Sequence, residues 1–249
     1  MNLKTQSILF LISTATIGFM MLAFRLPTWF LLLPIGFFIT QLVLGAIYIQ
    51  RNFYIDSINQ LSSQQTKEKK ICLTFDDGIH PEFTPRILDS LKAHRIPAMF
   101  FVIGKNLPGQ ETIIRRMQDE GHVIGNHSDQ HSFWFDMQSA RKMLQEIQTT
   151  NQTIERMTGQ VCRFFRPPYG VTNPNLAKAI RKSGLQSVGW NVRSLDTTAK
   201  NKEELLHRLT RLTRPGSIVL LHDRCSVTAE ALTEYIDYCV AEGYTFVTL

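Results

Sequence analysis

The sequence predicts an α/β fold, a distorted (β/α)7 barrel preceded by an N-terminal hairpin of two transmembrane helices. Three observations carry that expectation. From Lys70 onward, apolar runs of strand length alternate with segments of helix length, the rhythm of parallel βα units around one core. The first strand is not followed by a glycine-rich phosphate loop, and seven strands suit an incomplete barrel better than an open doubly wound sheet. Upstream, residues 5–24 and 26–50 carry no charge. Each of these runs is long enough to cross a bilayer, which takes about 20 apolar residues.

The 249 residues therefore divide into two spans over 1–50, a polar linker over 51–69 and a folded domain over 70–249. The hairpin turns at Arg25-Leu26-Pro27, Trp29 and Tyr48 sit near the ends of the second run, and Pro34 predicts a kink in it. A cleaved signal peptide is the alternative for the first run. Against it, no small-x-small site follows and the second run begins at once.

Within the domain, Ile71–Phe75 reads as the first strand. Thr84–His94 is a helix with Thr84 as cap and Pro85 at its first position. Ala98–Ile103 is a strand, Glu111–Glu120 a helix closed by Gly121, and His122–Asn126 a short strand. Ser139–Met157 is the clearest helix, with Met143, Leu144, Ile147 and Ile154 on one face. Arg163–Arg166 is a strand, Pro174–Ser183 a helix, Leu185–Val192 a strand and Lys202–Arg214 a helix. Ser217–Leu221, Thr228–Glu242 and Tyr244–Leu249 complete the alternation as strand, helix and strand.

Composition excludes several classes. The formal charge is +6, but from Lys70 onward 22 basic residues face 19 acidic ones. That is too even for a nucleic-acid surface, no basic-aromatic stripe appears, and no protein partner is implied. Cys72, Cys162, Cys225 and Cys239 form no C-x-x-C pair and read as buried or free thiols.

Chemistry collects at the strand ends, where barrels of this kind place their sites. The first strand runs into Asp76-Asp77-Gly78. Two adjacent ionised carboxylates repel unless a cation lies between them, so the pair suggests one metal ligand and one proton carrier. Later strand ends carry His127-Ser128-Asp129-Gln130-His131, Arg166-Pro167-Pro168-Tyr169-Gly170, Asp196, and His222-Asp223. An H-x-x-x-H pair joined to one carboxylate makes a site with open coordination positions. His80, His94, His122 and His207 are assigned to surface or packing roles.

These five segments, in order and at compatible spacing, resemble the polysaccharide deacetylases of the NodB-homology type, carbohydrate esterase family 4. The resemblance covers Lys70–Leu249 and implies a hydrolase that removes acetyl groups from N-acetylated sugars, or from O-acetyl esters in some members. It implies Asp76 as the catalytic base, with Asp77, His127 and His131 holding a divalent metal, zinc before cobalt or another transition ion. Arg166 would orient the base, a backbone N–H at Tyr169 would hold the oxyanion, and His222 would be the acid, tuned by Asp196. Leu220 and Pro168 would contact substrate. The family often has Asp-Trp where this chain has Asp196-Thr197, so one pocket wall is smaller here. Its first motif commonly continues with proline, where this chain has Ile79.

The expected partner is an acetylated polysaccharide such as peptidoglycan or a chitin-like glycan, met by an enzyme in the cell membrane. An O-acetyl esterase and a non-catalytic glycan-binding module are the alternatives. Lys4, Lys67, Lys69 and Lys70 favour a cytoplasmic domain, whereas a cell-wall substrate requires the outside.

Overall fold

The computed structural model describes residues 3–249. It begins with α1 (Leu3–Phe24) and, after a turn at Arg25 and a 3-10 segment, α2 (Leu32–Ile47). Two segments, Leu3–Phe24 and Thr28–Ile47, are long and apolar enough to span a membrane. Pro34 produces no mid-helix break. It falls in the first turn of α2, where its missing N–H would have had no helical acceptor.

Residues 51–69, expected as a linker, are folded. They form β1 (Ser57–Ile58) and α3 (Ser63–Lys67). The alternation continues with β2 (Lys70–Asp76), α4 (Phe83–Ala93), β3 (Met99–Val102), α5 (Glu111–Asp119), β4 (Val123–Asn126) and α6 (Ala140–Thr158). Then come β5 (Phe164–Phe165), α7 (Pro174–Ser183), β6 (Gln186–Val188), β7 (Val192–Arg193), α8 (Lys202–Leu212), β8 (Ile218–His222), α9 (Ser226–Ala241) and β9 (Thr245–Phe246). Thr84 is not the α4 cap. The helix starts one residue earlier, and the Thr84 hydroxyl donates instead to the buried Asp223 carboxyl at 2.6 Å.

The strands form one curled sheet in the order β1-β6-β5-β4-β3-β2-β8-β7, with β9 beside the start of β2. Every pairing is parallel. The expected strand over 185–192 is two short strands on opposite sides of the curl. Residues 189–191 carry the chain between them, so a covalent crossing closes the barrel where no hydrogen-bonded ladder does. Trp190 fills that crossing, and Gly170 at φ +70° leaves room for its ring, which a Cβ there would approach to 2.4 Å.

Strand alternation sorts the core into two. Ile71, Leu73 and Phe75 of β2 face the outer helices together with Phe100, Val219, Ile147 and Leu232. Cys72, Met99, Phe101, Ile218 and Leu220 fill the barrel interior with Val188 and Trp190. Ile49, just beyond α2, belongs to this inner cluster. The α2 end is fixed to the domain there, since Thr172 N–H donates to Ala46 O at 2.9 Å and Gln50 Nε2 to Trp190 O at 3.0 Å.

Asn126 ties the sheet to α6. Its amide donates to Ile147 O at 2.8 Å and Asn151 Oδ1 at 2.7 Å, and its oxygen accepts from Ser128 N–H at 2.8 Å. Asn126→Ala leaves the buried Ser128 N–H without its acceptor and is expected to cost about 1–3 kcal/mol. Urea unfolding of the variant beside the wild type measures this, and equal midpoints at equal slope would refute the tie.

Candidate active site

The site sits at the carboxyl ends of β2, β4 and β8, and its architecture starts from parity. Asp76 follows Cys72 and Thr74 into the barrel interior. Regular alternation would send Asp77 to the outside. Asp77 instead takes φ 73°, which turns its carboxylate back beside its neighbour's. Gly78 is needed for close approach, because a Cβ there would lie 2.2 Å from an Asp223 oxygen. Ser128, His131, Tyr169 and Leu195 also hold positive φ, so the loops around the cleft are built on conformations that cost about 1–3 kcal/mol each.

The cleft encloses about 510 Å³ and is lined by Asp76, Asp77, His127, His131, Tyr169, Leu220 and His222 among others. One ligand atom each from Asp77, His127 and His131 falls within 4.8 Å of the others. Asp77 Oδ1 is 3.5 Å from His127 Nε2 and 3.3 Å from His131 Nε2. His127 Nδ1 donates to Arg166 O at 2.7 Å, which leaves its Nε2 lone pair aimed at the cluster, the arrangement a metal-ligating imidazole adopts. Burial and the neighbouring His127 charge push His131 down to about 4, so it is neutral at pH 7 and free to ligate. Burial pulls His127 the other way from its net shift, which the Asp76 and Asp77 charges raise. Carboxylates that hold a proton there would equally hold a cation. The donor set fits a divalent transition metal.

Asp76 lies to one side of this cluster. Its Oδ1 accepts from Arg166 Nη1 at 2.7 Å, and its Oδ2 is 3.7 Å from His127 Nε2. His222 is in register with Asp76 on the adjacent strand. Its Nδ1 is 2.7 Å from Asp196 Oδ1, whose other oxygen accepts from the His222 N–H and the Thr228 hydroxyl. Burial alone would lower the His222 pKa. The Asp196 hydrogen bond and charge outweigh it and raise the value above the usual imidazole range. Asp196 is itself opposed by burial, then lowered by the same pairing.

Arg166 and Asp196 stand behind the cleft, hydrogen-bonded to Asp76 and His222 respectively. Tyr169 is half-exposed at the rim, with its ring 4.7 Å from that of His131. Its N–H meets no protein acceptor among the described residues, whereas those of Gly170 and Val171 are taken by Pro167 O and Pro168 O. Pro168 is buried behind this turn and does not line the cleft.

The sequence reading named Asp223 at a strand end without giving it a role, and it did not single out Arg224. Arg224 donates through Nε to Asp77 Oδ2 at 2.6 Å, holding that carboxylate from the solvent side. Asp223 is fully buried, and desolvation pushes its carboxyl up to about 7 against the opposing hydrogen bond from the Thr84 hydroxyl. Both follow His222 directly. A strand end read as one acid left its next two positions unassigned.

Comparison with known proteins places this arrangement. The family model for polysaccharide deacetylase matches residues 63–188. The chain is 37% identical over 201 residues to the Bacillus subtilis peptidoglycan-N-acetylmuramic acid deacetylase PdaA, covering 79% of this chain and 76% of the relative. The solved structure of that protein, a family 4 carbohydrate esterase, matches at TM-score 0.69 with 36% identity over 77% of this chain and 82% of the other. The Listeria monocytogenes peptidoglycan-N-acetylglucosamine deacetylase PgdA is 34% identical over 181 residues; the match takes in 73% of this chain but 38% of that longer protein. A CE4 family pseudoenzyme from Bacillus anthracis matches at TM-score 0.70 and 30% identity, over 77% of this chain and 66% of that one. By its matched sequence model, its relatives and its curled parallel sheet, the chain belongs to the polysaccharide deacetylase family.

Proposed function

We propose that this protein is a metal-dependent carbohydrate N-deacetylase that hydrolyses the acetamide of N-acetylated sugars in a cell-surface polysaccharide. Its two N-terminal helices would hold it at the cell membrane. One observation carries the reading. A carboxylate aimed by a buried arginine and an imidazole paired with a buried carboxylate occupy neighbouring strands beside a three-residue ligand cluster. The names of the relatives, deacetylases of peptidoglycan sugars, support the substrate class. A module that only bound glycans would need neither the Arg166–Asp76 nor the Asp196–His222 pair.

A Zn²⁺-like ion on Asp77, His127 and His131 would polarise the acetyl carbonyl and lower the pKa of water toward ~7. Asp76, fixed by Arg166, accepts the proton of the attacking water. Oxygen bonds to the carbonyl carbon, and the unpaired Tyr169 N–H donates to the oxyanion that develops. His222 then gives its Nε2 proton to the sugar nitrogen as the C–N bond breaks. Acetate and a free amine leave. Leu220, at the cleft wall, packs on the acetyl methyl.

The direct test is acetate release from chitooligosaccharides by the full chain, before and after chelation. Activity that disappears with chelator and returns with Zn²⁺ is expected; full activity in chelator would contradict the metal's role. His222→Ala should lower the rate on N-acetyl sugars roughly 10²–10⁴-fold. Aryl acetates, whose leaving groups need little protonation, should suffer less, and equal losses would make His222 a structural residue. Asp196→Asn removes what raises the His222 pKa. The acid then loses its proton at lower pH, and the basic limb of the pH–rate profile should move down. An unmoved limb would separate Asp196 from the acid.

A further inference from the structure

The reaction leaves one wall of the cleft without a task. β7 pairs with β8 so that Arg193 is in register with Leu220, and both line the cleft. Val192 beside it is buried and Arg193 exposed. Among the described residues the Arg193 guanidinium makes no hydrogen bond and no ion pair, unlike the cations around it. Arg166 donates to Asp76, Thr74, Val188 O and Gly189 O. Arg224 is held by Asp77, and Lys105 Nζ donates to Gln130 O at 2.8 Å.

The charge balance of the cleft points the same way. Lys105, Arg193 and Arg224 line it, while its two carboxylates are committed to Arg166, Arg224 and the ligand cluster. The positive potential at Arg193 has no protein counter-charge. The platform beneath it is firm, because Arg208 donates to Ser194 O at 2.7 Å and Leu195 O at 3.2 Å. Thr197, a short side chain, also lines the cleft.

We propose that Arg193 binds a carboxylate carried by the sugar being deacetylated, so that the preferred substrate is an acidic N-acetylated sugar, such as one bearing a lactyl ether on its ring. This rests on the N-deacetylase reading and adds a specificity determinant to it. A planar guanidinium meets a carboxylate through two parallel hydrogen bonds. The unused nitrogens of Arg224 add attraction at the cleft mouth without leaving Asp77.

The test uses the full chain and three substrates: a neutral β-1,4-linked N-acetylglucosamine oligomer, peptide-free peptidoglycan strands, and those strands with their lactyl carboxylates methyl-esterified. Acetate release gives kcat/KM, and mass spectrometry assigns which sugar lost its acetyl group. The wild type should favour the free-carboxylate strand, reacting at the carboxylate-bearing sugar, and esterification should remove the preference. Arg193→Gln should shrink the ratio of carboxylated to neutral kcat/KM roughly 10–100-fold, the scale of a hydrogen bond to a charged group. Arg193→Lys should retain part of it. A ratio unchanged in Arg193→Gln, or a wild type that treats the strands alike, overturns the inference while leaving the deacetylase reading intact. Acetate release from none of the three overturns both.

Discussion

A single buried guanidinium organises the interior of this barrel. Arg166 is fully buried, and each of its side-chain nitrogens has an acceptor: Nη1 Thr74 Oγ1 and Asp76 at 2.7 Å each, Nε Val188 O at 3.2 Å, Nη2 Gly189 O at 2.8 Å. Its face lies 4.2 Å over the Phe101 ring. Its own N–H pairs with Asn126 O, and its carbonyl accepts from His127. One residue thus joins the Asp76 carboxylate, the His127 imidazole and the crossing that closes the barrel. Such a charge is tolerable only with its partners in place. Removing one partner of a buried pair typically costs about 3–5 kcal/mol, so the Asp76 carboxylate and the barrel stand or fall together.

The rim of the site follows a different logic. Where the interior is saturated, the loops store strain. Asp77, Ser128, His131, Tyr169 and Leu195 all hold left-handed backbones, and neighbours hold them there: Asp223 packs against Gly78, Ser128 is clamped by Asn126, and Leu195 by Arg208. The result at Asp77 is two consecutive carboxylates with separate environments, one against an internal arginine and one against two imidazoles and Arg224. The same residue type can therefore carry a proton at one position and a cation at the next.

Much of this was legible in the sequence because period and chemistry coincide at the strand ends. Apolar runs over 71–75, 98–103 and 217–221 could only be parallel strands, and the titratable residues following them identified the cleft. What stayed hidden depends on contacts between distant segments. The 185–192 run reads as one strand, because its Gly189–Asn191 break is set by Arg166 and Trp190 from inside the barrel. Residues 51–69 look like a polar tether, yet Ser57 pairs with Ser187 through their hydroxyls at 2.8 Å. Thr84 has the pattern of a helix cap, and the buried carboxyl of Asp223, just past β8, accepts from its hydroxyl instead. Arg224 carries no pattern at all, since its partner lies 147 residues away.

The central claim is that Asp76 and Asp77 do different work, one moving a proton and the other holding the metal. Metal content and turnover of Asp76→Asn and Asp77→Asn, measured on the same purified preparations, test it most directly. The account predicts that Asp76→Asn keeps stoichiometric metal and loses most turnover, while Asp77→Asn loses the metal itself. Equal metal loss in both variants, or full turnover in Asp76→Asn, would contradict it.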